Sequence, residues 1–202
     1  MFLHAFPDDE RMWEPQIAAL QGGDVAAPRL YGRGPSLDRW AAEILDDVDG
    51  PVIVVGASMG GYTGLAMAER APERLLALLL AGARAAADSA ERRRDRDALI
   101  ALLGEGGVPA GLTTTATAAE LADATAAMRD RPDRSDVVRA FAGPLVVVVG
   151  EADDVLPVHE ARAVAALAPR GRIEVFPGAG HLVSVEQPDA FNRVLLDFLD
   201  SV

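Results

Sequence analysis

The feature that most constrains this chain is the apolar, β-branched run at residues 51–55, which leads directly into Gly-Ala-Ser-Met-Gly at 56–60. A run without polar alternation is typical of a strand buried on both faces of a parallel sheet. Similar runs alternate with helix-like segments along the chain, which predicts βαβ units and the α/β fold class. The other strand-like runs are 2–3, 25–30, 75–80, 145–149 and 173–176. We therefore expect a three-layer α/β/α sandwich around a mostly parallel sheet of about six strands.

One segment interrupts the alternation. Residues 84–141 lie between two predicted core strands and carry a charge cluster at 91–96, with helical patches expected at 92–103 and 119–128. The length of 202 residues suits a single domain. We therefore predict one domain spanning 1–202, with residues 84–141 inserted into it as a short helical lid.

The charge and the scarce residue types exclude several kinds of partner. A formal net charge of −12 at pH 7 repels phosphate backbones and anionic lipid headgroups, so we expect neither nucleic acid nor a membrane as a partner. The chain has no cysteine and 3 histidines, so few side chains are left for a metal site, and we expect no metal and no cofactor. No basic stretch precedes an apolar one at the start of the chain, and the expected location is cytoplasmic.

The strand, the glycines and the following helix together make Ser58 a candidate nucleophile. A Gly-x-Ser-x-Gly sequence between a buried strand and a helix is typical of a sharp turn that lifts the serine hydroxyl above the sheet edge. The helix N-terminus then favours a developing oxyanion, and the amide of Met59 is placed to donate to it. The alternative is a glycine-rich turn that packs or binds a phosphate, although neither the Gly-x-Gly-x-x-Gly nor the Gly-Lys-Ser/Thr pattern is present.

A serine nucleophile needs a base, and the base needs an acid. His181 follows a predicted strand within Gly-Ala-Gly-His, where small neighbours let a loop carry the imidazole to the sheet edge. The alternative is an ordinary loop histidine. Asp153 is our choice for the acid that orients the imidazole, with Asp154 as the second choice and Glu151 as a structural residue. The order serine, aspartate, histidine is the order of the α/β-hydrolase triad.

With these motifs the chain resembles a small α/β-hydrolase of the enol-lactonase-like and esterase branch. The resemblance covers most of the chain and rests on His4, Ala5, Phe6, Pro7, Arg11, Met12, Trp13, segment 56–61, the helix end at 71–74 and the loops of Asp153 and His181. It implies that the amide of Phe6 is the second oxyanion donor beside that of Met59, and that His4 holds this loop. Ala5 stands where the family usually has glycine, which requires a negative φ at this position.

The resemblance also implies that the family's N-terminal hairpin is missing. The predicted strand at 25–30 would then form a sheet edge that is open to pairing. The chain is accordingly expected to be a monomer or a homodimer that pairs along this edge.

The resemblance implies a serine hydrolase that cleaves a small-molecule ester or lactone through an acyl-enzyme. The same three residues would also serve a thioesterase, a perhydrolase or a carbon–carbon hydrolase, and a different class of protein, a non-catalytic binding protein, is a further alternative. Trp13 and Arg84 are candidates for the substrate pocket, Arg84 for an acidic substrate. For both residues the alternative is an ordinary structural role.

Overall fold

One parallel sheet organises the chain. In the computed structural model, which describes residues 1–20, 22–109, 112 and 114–202, this sheet has five strands in their sequence order. The strands are β1 (Phe2–Leu3), β2 (Val52–Ala57), β3 (Leu75–Ala81), β4 (Leu145–Gly150) and β5 (Gly171–Phe176). All four pairings are parallel, which confirms the α/β class expected from the apolar runs.

Helices connect the strands. They are α1 (Glu14–Ala19), α2 (Leu37–Asp46), α3 (Met59–Arg70), α4 (Ala90–Gly104), α5 (Ala118–Asp130), α6 (Ser135–Ala140), α7 (Val158–Leu167), α8 (Val183–Glu186) and α9 (Pro188–Leu199). Two 3₁₀ turns accompany them, at Glu10–Trp13 and Pro72–Arg74. In α2, the Ser36 hydroxyl accepts from the amide of Arg39 and so caps the first turn.

The two faces of the sheet bury different helices. Val54 and Leu78 share one buried cluster with residues of α2, α3 and α7. Val55 and Leu79, their neighbours in sequence, belong to a second cluster with residues of the segment before α1 and of α9. This alternation follows from the two-residue repeat of a strand. It gives the three-layer sandwich that the sequence predicts.

The prediction of a strand at residues 25–30 is wrong. This segment runs beside β1, where the amide of Phe2 donates to the carbonyl of Ala26 at 2.7 Å, but it forms no strand. The amide of Leu30 donates instead to Nε2 of His4, and Pro28 has no amide hydrogen to donate. Because β1 is only two residues long, there is little strand edge to pair with.

The inserted segment 84–141 consists mainly of α4, α5 and α6, and its residues Ala110, Gly111 and Thr113 lie outside the described residues. Two ion pairs of the buried Asp88 tie it together, one with Arg131 at 2.8 Å and one with Arg96 at 2.5 Å. The guanidinium of Arg131 also lies 4.0 Å above the ring of Tyr62 on α3. The segment is therefore fastened to the helix that follows Ser58. Its function as a lid stays a prediction.

The carboxyl ends of all five parallel strands meet at one edge of the sheet. The loops that follow β1, β2, β4 and β5 carry Phe6, Ser58, Asp153 and His181 respectively. The topology therefore brings the predicted site residues to the same edge. Among the described residues, no helix is long and apolar enough to cross a membrane.

Candidate active site

The turn at Ser58 has the strained backbone that the Gly-x-Ser-x-Gly motif predicts. Ser58 has φ 47° and ψ −109°, and it is the only residue other than glycine with a positive φ in the described part of the chain. Its amide donates to the carbonyl of Ala81 at 2.7 Å, which ties the turn to β3. A side chain at Gly60 would lie 2.0 Å from the carbonyl oxygen of Leu3, so only glycine allows this close approach to β1.

Ser58, His181 and Asp153 form a continuous hydrogen-bonded chain. Oγ of Ser58 lies 3.0 Å from Nε2 of His181, and Nδ1 of His181 lies 2.9 and 3.0 Å from the two carboxylate oxygens of Asp153. A carboxylate can only accept, so Nδ1 carries the proton and Nε2 is left to accept from the serine hydroxyl. This is the arrangement in which a histidine can take a proton from a serine.

The Asp153 carboxylate is held in its ionised form. Burial raises the pKa of Asp153, but its bond to His181 and those from the amides of Leu156 and Val155 outweigh burial, and the net pKa lies below the usual value. Both amides donate to Oδ1 at 2.8 Å. The carboxylate is therefore preorganised to orient the imidazole and to stabilise it when it is charged.

The other two acidic residues of this loop, Asp154 and Glu151, do not contact His181. Asp154 is exposed, whereas Asp153 is buried. Glu151 accepts from the amide of Gly178 at 3.1 Å and so supports the neighbouring loop. Of the three carboxylates that compete in the sequence, Asp153 is therefore the one that contacts His181.

His4 holds the loop after β1, as the resemblance implies. Its Nε2 accepts from the amide of Leu30 at 2.9 Å, so its Nδ1 must be the donor to the carbonyl of Ala5 at 2.9 Å. Burial lowers the pKa of His4 and keeps it neutral. Ala5 avoids positive φ, which removes the objection to an alanine at this position. His4 is therefore a structural residue, and its ring nitrogens are both engaged.

The two predicted oxyanion donors follow neighbouring strands at this edge of the sheet. Phe6 lies in the loop after β1, and Met59 is the first residue of α3. In the part of the chain that the structure describes, neither backbone amide has a hydrogen-bond acceptor. Amides without an acceptor are what an oxyanion site requires, and the assignment of Phe6 and Met59 as its donors stays a prediction.

A model of the alpha/beta hydrolase family matches residues 1–194. The chain belongs to this family. An esterase from Thermogutta terrifontis is 26% identical over 98% of this chain and 88% of that chain, with a TM-score of 0.90. The enol-lactonase from Burkholderia xenovorans is 22% identical over 98% of this α/β-hydrolase and 90% of that chain, with a TM-score of 0.75.

A third similar structure is a meta-cleavage product hydrolase from Pseudomonas fluorescens, which is 21% identical over 98% of this α/β-hydrolase and 89% of that chain, with a TM-score of 0.67. The last two similarities show the fold alone. Proteins with this fold thus carry names that describe different reactions. The family predicted from the sequence is confirmed, and the fold by itself leaves the substrate open.

Trp13 and Arg84, the two predicted pocket residues, are both buried in this α/β-hydrolase. Trp13 is fully buried and packs against Phe2 and Phe191, with ring centroids 5.2 and 5.9 Å away. Arg84 is 4% exposed, donates to the carbonyl of Val155 at 2.5 Å and pairs with Glu160 at 3.1 Å. Both side chains are engaged within the protein, and their part in a substrate pocket stays a prediction.

A cavity of about 610 Å³ lies beside the loop after β1. Its lining includes Asp8, Asp9, Arg11, Met12, Thr115 and Val185. The inserted segment closes one side of this cavity, since the Thr115 hydroxyl donates to Asp9 at 2.7 Å. Arg11 is itself paired with Asp9 at 2.6 Å. The lining therefore offers little free positive charge to an acidic substrate.

Two features of the site escaped the sequence analysis. Gly82, after β3, lies against the imidazole, because a side chain there would come within 2.9 Å of Cε1 of His181. Glu186 accepts from the amides of Gly180 and Leu182, on either side of His181. Neither residue belongs to a motif that singles it out. Among the described residues, no group of three or more histidine, aspartate or glutamate side chains is placed to hold a metal ion.

Proposed function

We propose that this protein is a serine hydrolase that cleaves a small-molecule carboxylic ester or lactone through an acyl-enzyme. That it is a hydrolase acting on ester bonds agrees with its family and with the similar esterase. The observation that carries the proposal is the hydrogen-bonded chain from Ser58 through His181 to Asp153 at a strained strand-to-helix turn. A non-catalytic binding protein has no need of this arrangement.

In the first half of the reaction, Oγ of Ser58 attacks the carbonyl carbon while Nε2 of His181 takes the hydroxyl proton. Asp153 stays ionised and stabilises the resulting imidazolium. The amides of Phe6 and Met59 donate to the oxyanion of the tetrahedral intermediate. His181 then returns the proton to the leaving alkoxide, and the acyl group stays on Ser58.

In the second half, a water molecule attacks the acyl carbon and gives its proton to Nε2 of His181. The second tetrahedral intermediate collapses, the carboxylic acid leaves, and Ser58 regains its proton from the imidazolium. The nucleophile, the base and the oxyanion donors are all groups of the protein. In each half of the reaction His181 takes up one proton and gives one back, so the enzyme returns to its starting protonation state.

The surroundings favour a neutral substrate. Arg84 is occupied by Glu160 and Val155, and in the cavity beside the loop after β1 the guanidinium of Arg11 is paired with Asp9. An acyl group that carries a carboxylate and occupies this cavity would find no free cation among the described lining residues to offset its loss of hydration, which costs binding energy. We therefore expect neutral esters and lactones to react faster than carboxylate-bearing ones of the same size.

A fluorophosphonate probe tests the proposal directly. The folded protein should be labelled, Ser58→Ala should abolish labelling, and Ser36→Ala should preserve it because that hydroxyl only caps α2. Activity is then measured on p-nitrophenyl esters of graded chain length, on lactones and on thioesters. A folded protein that neither reacts with the probe nor hydrolyses any of these substrates would show that it is not a serine hydrolase.

A further inference from the structure

The imidazole of His181 sits on a short loop between β5 and α8, and one carboxylate binds the amides of the residues before and after it. Oε2 of Glu186 accepts from the amide of Gly180 at 2.6 Å, and Oε1 accepts from the amide of Leu182 at 2.9 Å. Glu186 is the last residue of α8 and reaches back over that single turn. Its two oxygens therefore bind the residue before His181 and the residue after it.

This contact controls the direction in which the imidazole leaves the backbone. The amide of Leu182 belongs to the peptide plane after His181, so its bond fixes that plane, whereas the amide of Gly180 belongs to the plane between Ala179 and Gly180. Together the two bonds anchor the backbone before and after His181 and narrow the directions that its Cα–Cβ bond can take. Bonds to an ionised acceptor are about twice as strong as neutral ones, and the two-pronged contact adds geometric specificity. The freedom that remains lies in the backbone torsions between the two anchored amides and in the side-chain torsions of His181, which the contacts with Asp153, Ser58 and Gly82 restrict.

The space around Gly180 fits this role. A side chain there would lie 3.1 and 3.2 Å from the two carboxylate oxygens of Glu186, which is tighter than an ordinary contact. On the other side of the loop, the amide of Ala152 donates to the carbonyl of Ala179 at 2.9 Å. That bond holds the His181 loop against the Asp153 loop. Glu186 in turn holds the two residues that border His181.

We propose that Glu186 is a positioning residue for His181, acting through the amides of Gly180 and Leu182 to keep the imidazole within hydrogen-bond reach of Ser58. The proposal rests on the proposed function, because it assigns Glu186 a part in the same reaction. Glu186 is exposed and has no role in the chemical steps. The rival explanation is that it merely stabilises the short helix α8.

Activity separates the two explanations. Glu186→Gln keeps one acceptor oxygen and should lower kcat about tenfold, whereas Glu186→Ala loses both and should lower it about 100-fold, since a misplacement of about 1 Å can cost that much. KM should stay within about twofold because no substrate contact is removed. A purely structural role would lower the melting temperature and leave kcat of the folded fraction unchanged.

Glu151→Gln is the matched control. Glu151 also accepts from an amide of this loop, that of Gly178, but this amide does not border His181. The control variant should keep kcat within about twofold of the unchanged protein. If Glu186→Ala turns over as fast as the unchanged protein, or if Glu151→Gln loses as much activity, the positioning role is refuted.

A measurement that needs no activity keeps this test separate from that of the reaction. In protein with ¹⁵N-labelled histidine, the Nδ1 proton of His181 should give a low-field NMR signal because it is bound to Asp153. The signal should broaden or vanish in Glu186→Gln and persist in Glu151→Gln. A signal that persists unchanged in Glu186→Gln refutes the proposal, whether or not Ser58 reacts with a fluorophosphonate.

Discussion

The contact between Gly82 and His181 predicts that Gly82→Ala disables the imidazole without removing any functional group. The added Cβ would lie 2.9 Å from Cε1, 3.1 Å from Nδ1 and 3.2 Å from the carbonyl oxygen of His181. Carbon atoms in contact normally lie about 3.5–4.0 Å apart, so the ring must move by roughly 0.6–1 Å. Such a shift would break the 3.0 Å bond between His181 and Ser58.

The expected cost follows from that displacement. A misplacement of about 1 Å costs about 100-fold in rate, which corresponds to roughly 2.7 kcal/mol in the activation barrier. Gly82 has φ +64°, so alanine there also carries a backbone strain of about 1–2 kcal/mol, which lowers stability. We therefore expect kcat/KM to fall about 100-fold in a protein that is folded but melts at a lower temperature.

Gly50→Ala isolates the steric effect from the strain. Gly50 has φ +74°, close to that of Gly82, but a side chain there meets no atom within 4 Å. Gly50→Ala should lose no more stability than Gly82→Ala, which also carries the steric clash, and its kcat/KM on a p-nitrophenyl ester should stay within about twofold. Circular dichroism checks that both variants are folded. Full activity in Gly82→Ala, or an equal loss in Gly50→Ala, would refute the steric argument.

Two further predictions concern carboxylates at the site and in the inserted segment. Asp153→Asn should lower kcat about 10⁴-fold in an ester assay because the asparagine no longer fixes the imidazole tautomer, whereas the exposed Asp154→Asn should change it little; equal losses would contradict the assignment. Burial raises the pKa of Asp88, but Arg131 and Arg96 outweigh burial, and the net pKa lies below the usual value. The ionised Asp88 therefore stabilises the fold above about pH 4, and this stabilisation is lost as the pH falls further. In denaturant titrations, Asp88→Asn should therefore be less stable at pH 7, with a difference that narrows towards pH 3; a difference independent of pH would contradict this account.

Local sequence was sufficient to predict several parts of the structure. The run at 51–55 and the Gly-x-Ser-x-Gly motif predicted a buried strand, a sharp turn at Ser58 and a helix directly after it, all of which the structure contains. These features were predictable because they depend on neighbours in sequence, through side-chain sterics and the two-residue period of strands. The same reasoning failed at residues 25–30. This apolar run lies beside β1, which has only two residues and offers little backbone for strand pairing.

Composition and side-chain type did not reveal which functional groups were already occupied. The charge of Arg84 suited an acidic substrate, but its guanidinium is paired with Glu160 and hydrogen-bonded to the carbonyl of Val155. Trp13 had the size for a pocket wall, but Phe2 and Phe191 bury it. Each outcome depends on residues far away in sequence, and no local pattern records them.

By itself, then, the sequence determined the fold class, the family and the three kinds of side chain that could do the chemistry. Only the tertiary structure decided that Asp153, rather than Asp154 or Glu151, meets His181, and that Glu186 and Gly82 border the imidazole. The physical reason is range. Secondary structure responds to residues a few positions apart, whereas a hydrogen bond or a steric contact at the sheet edge depends on how separate loops are placed together.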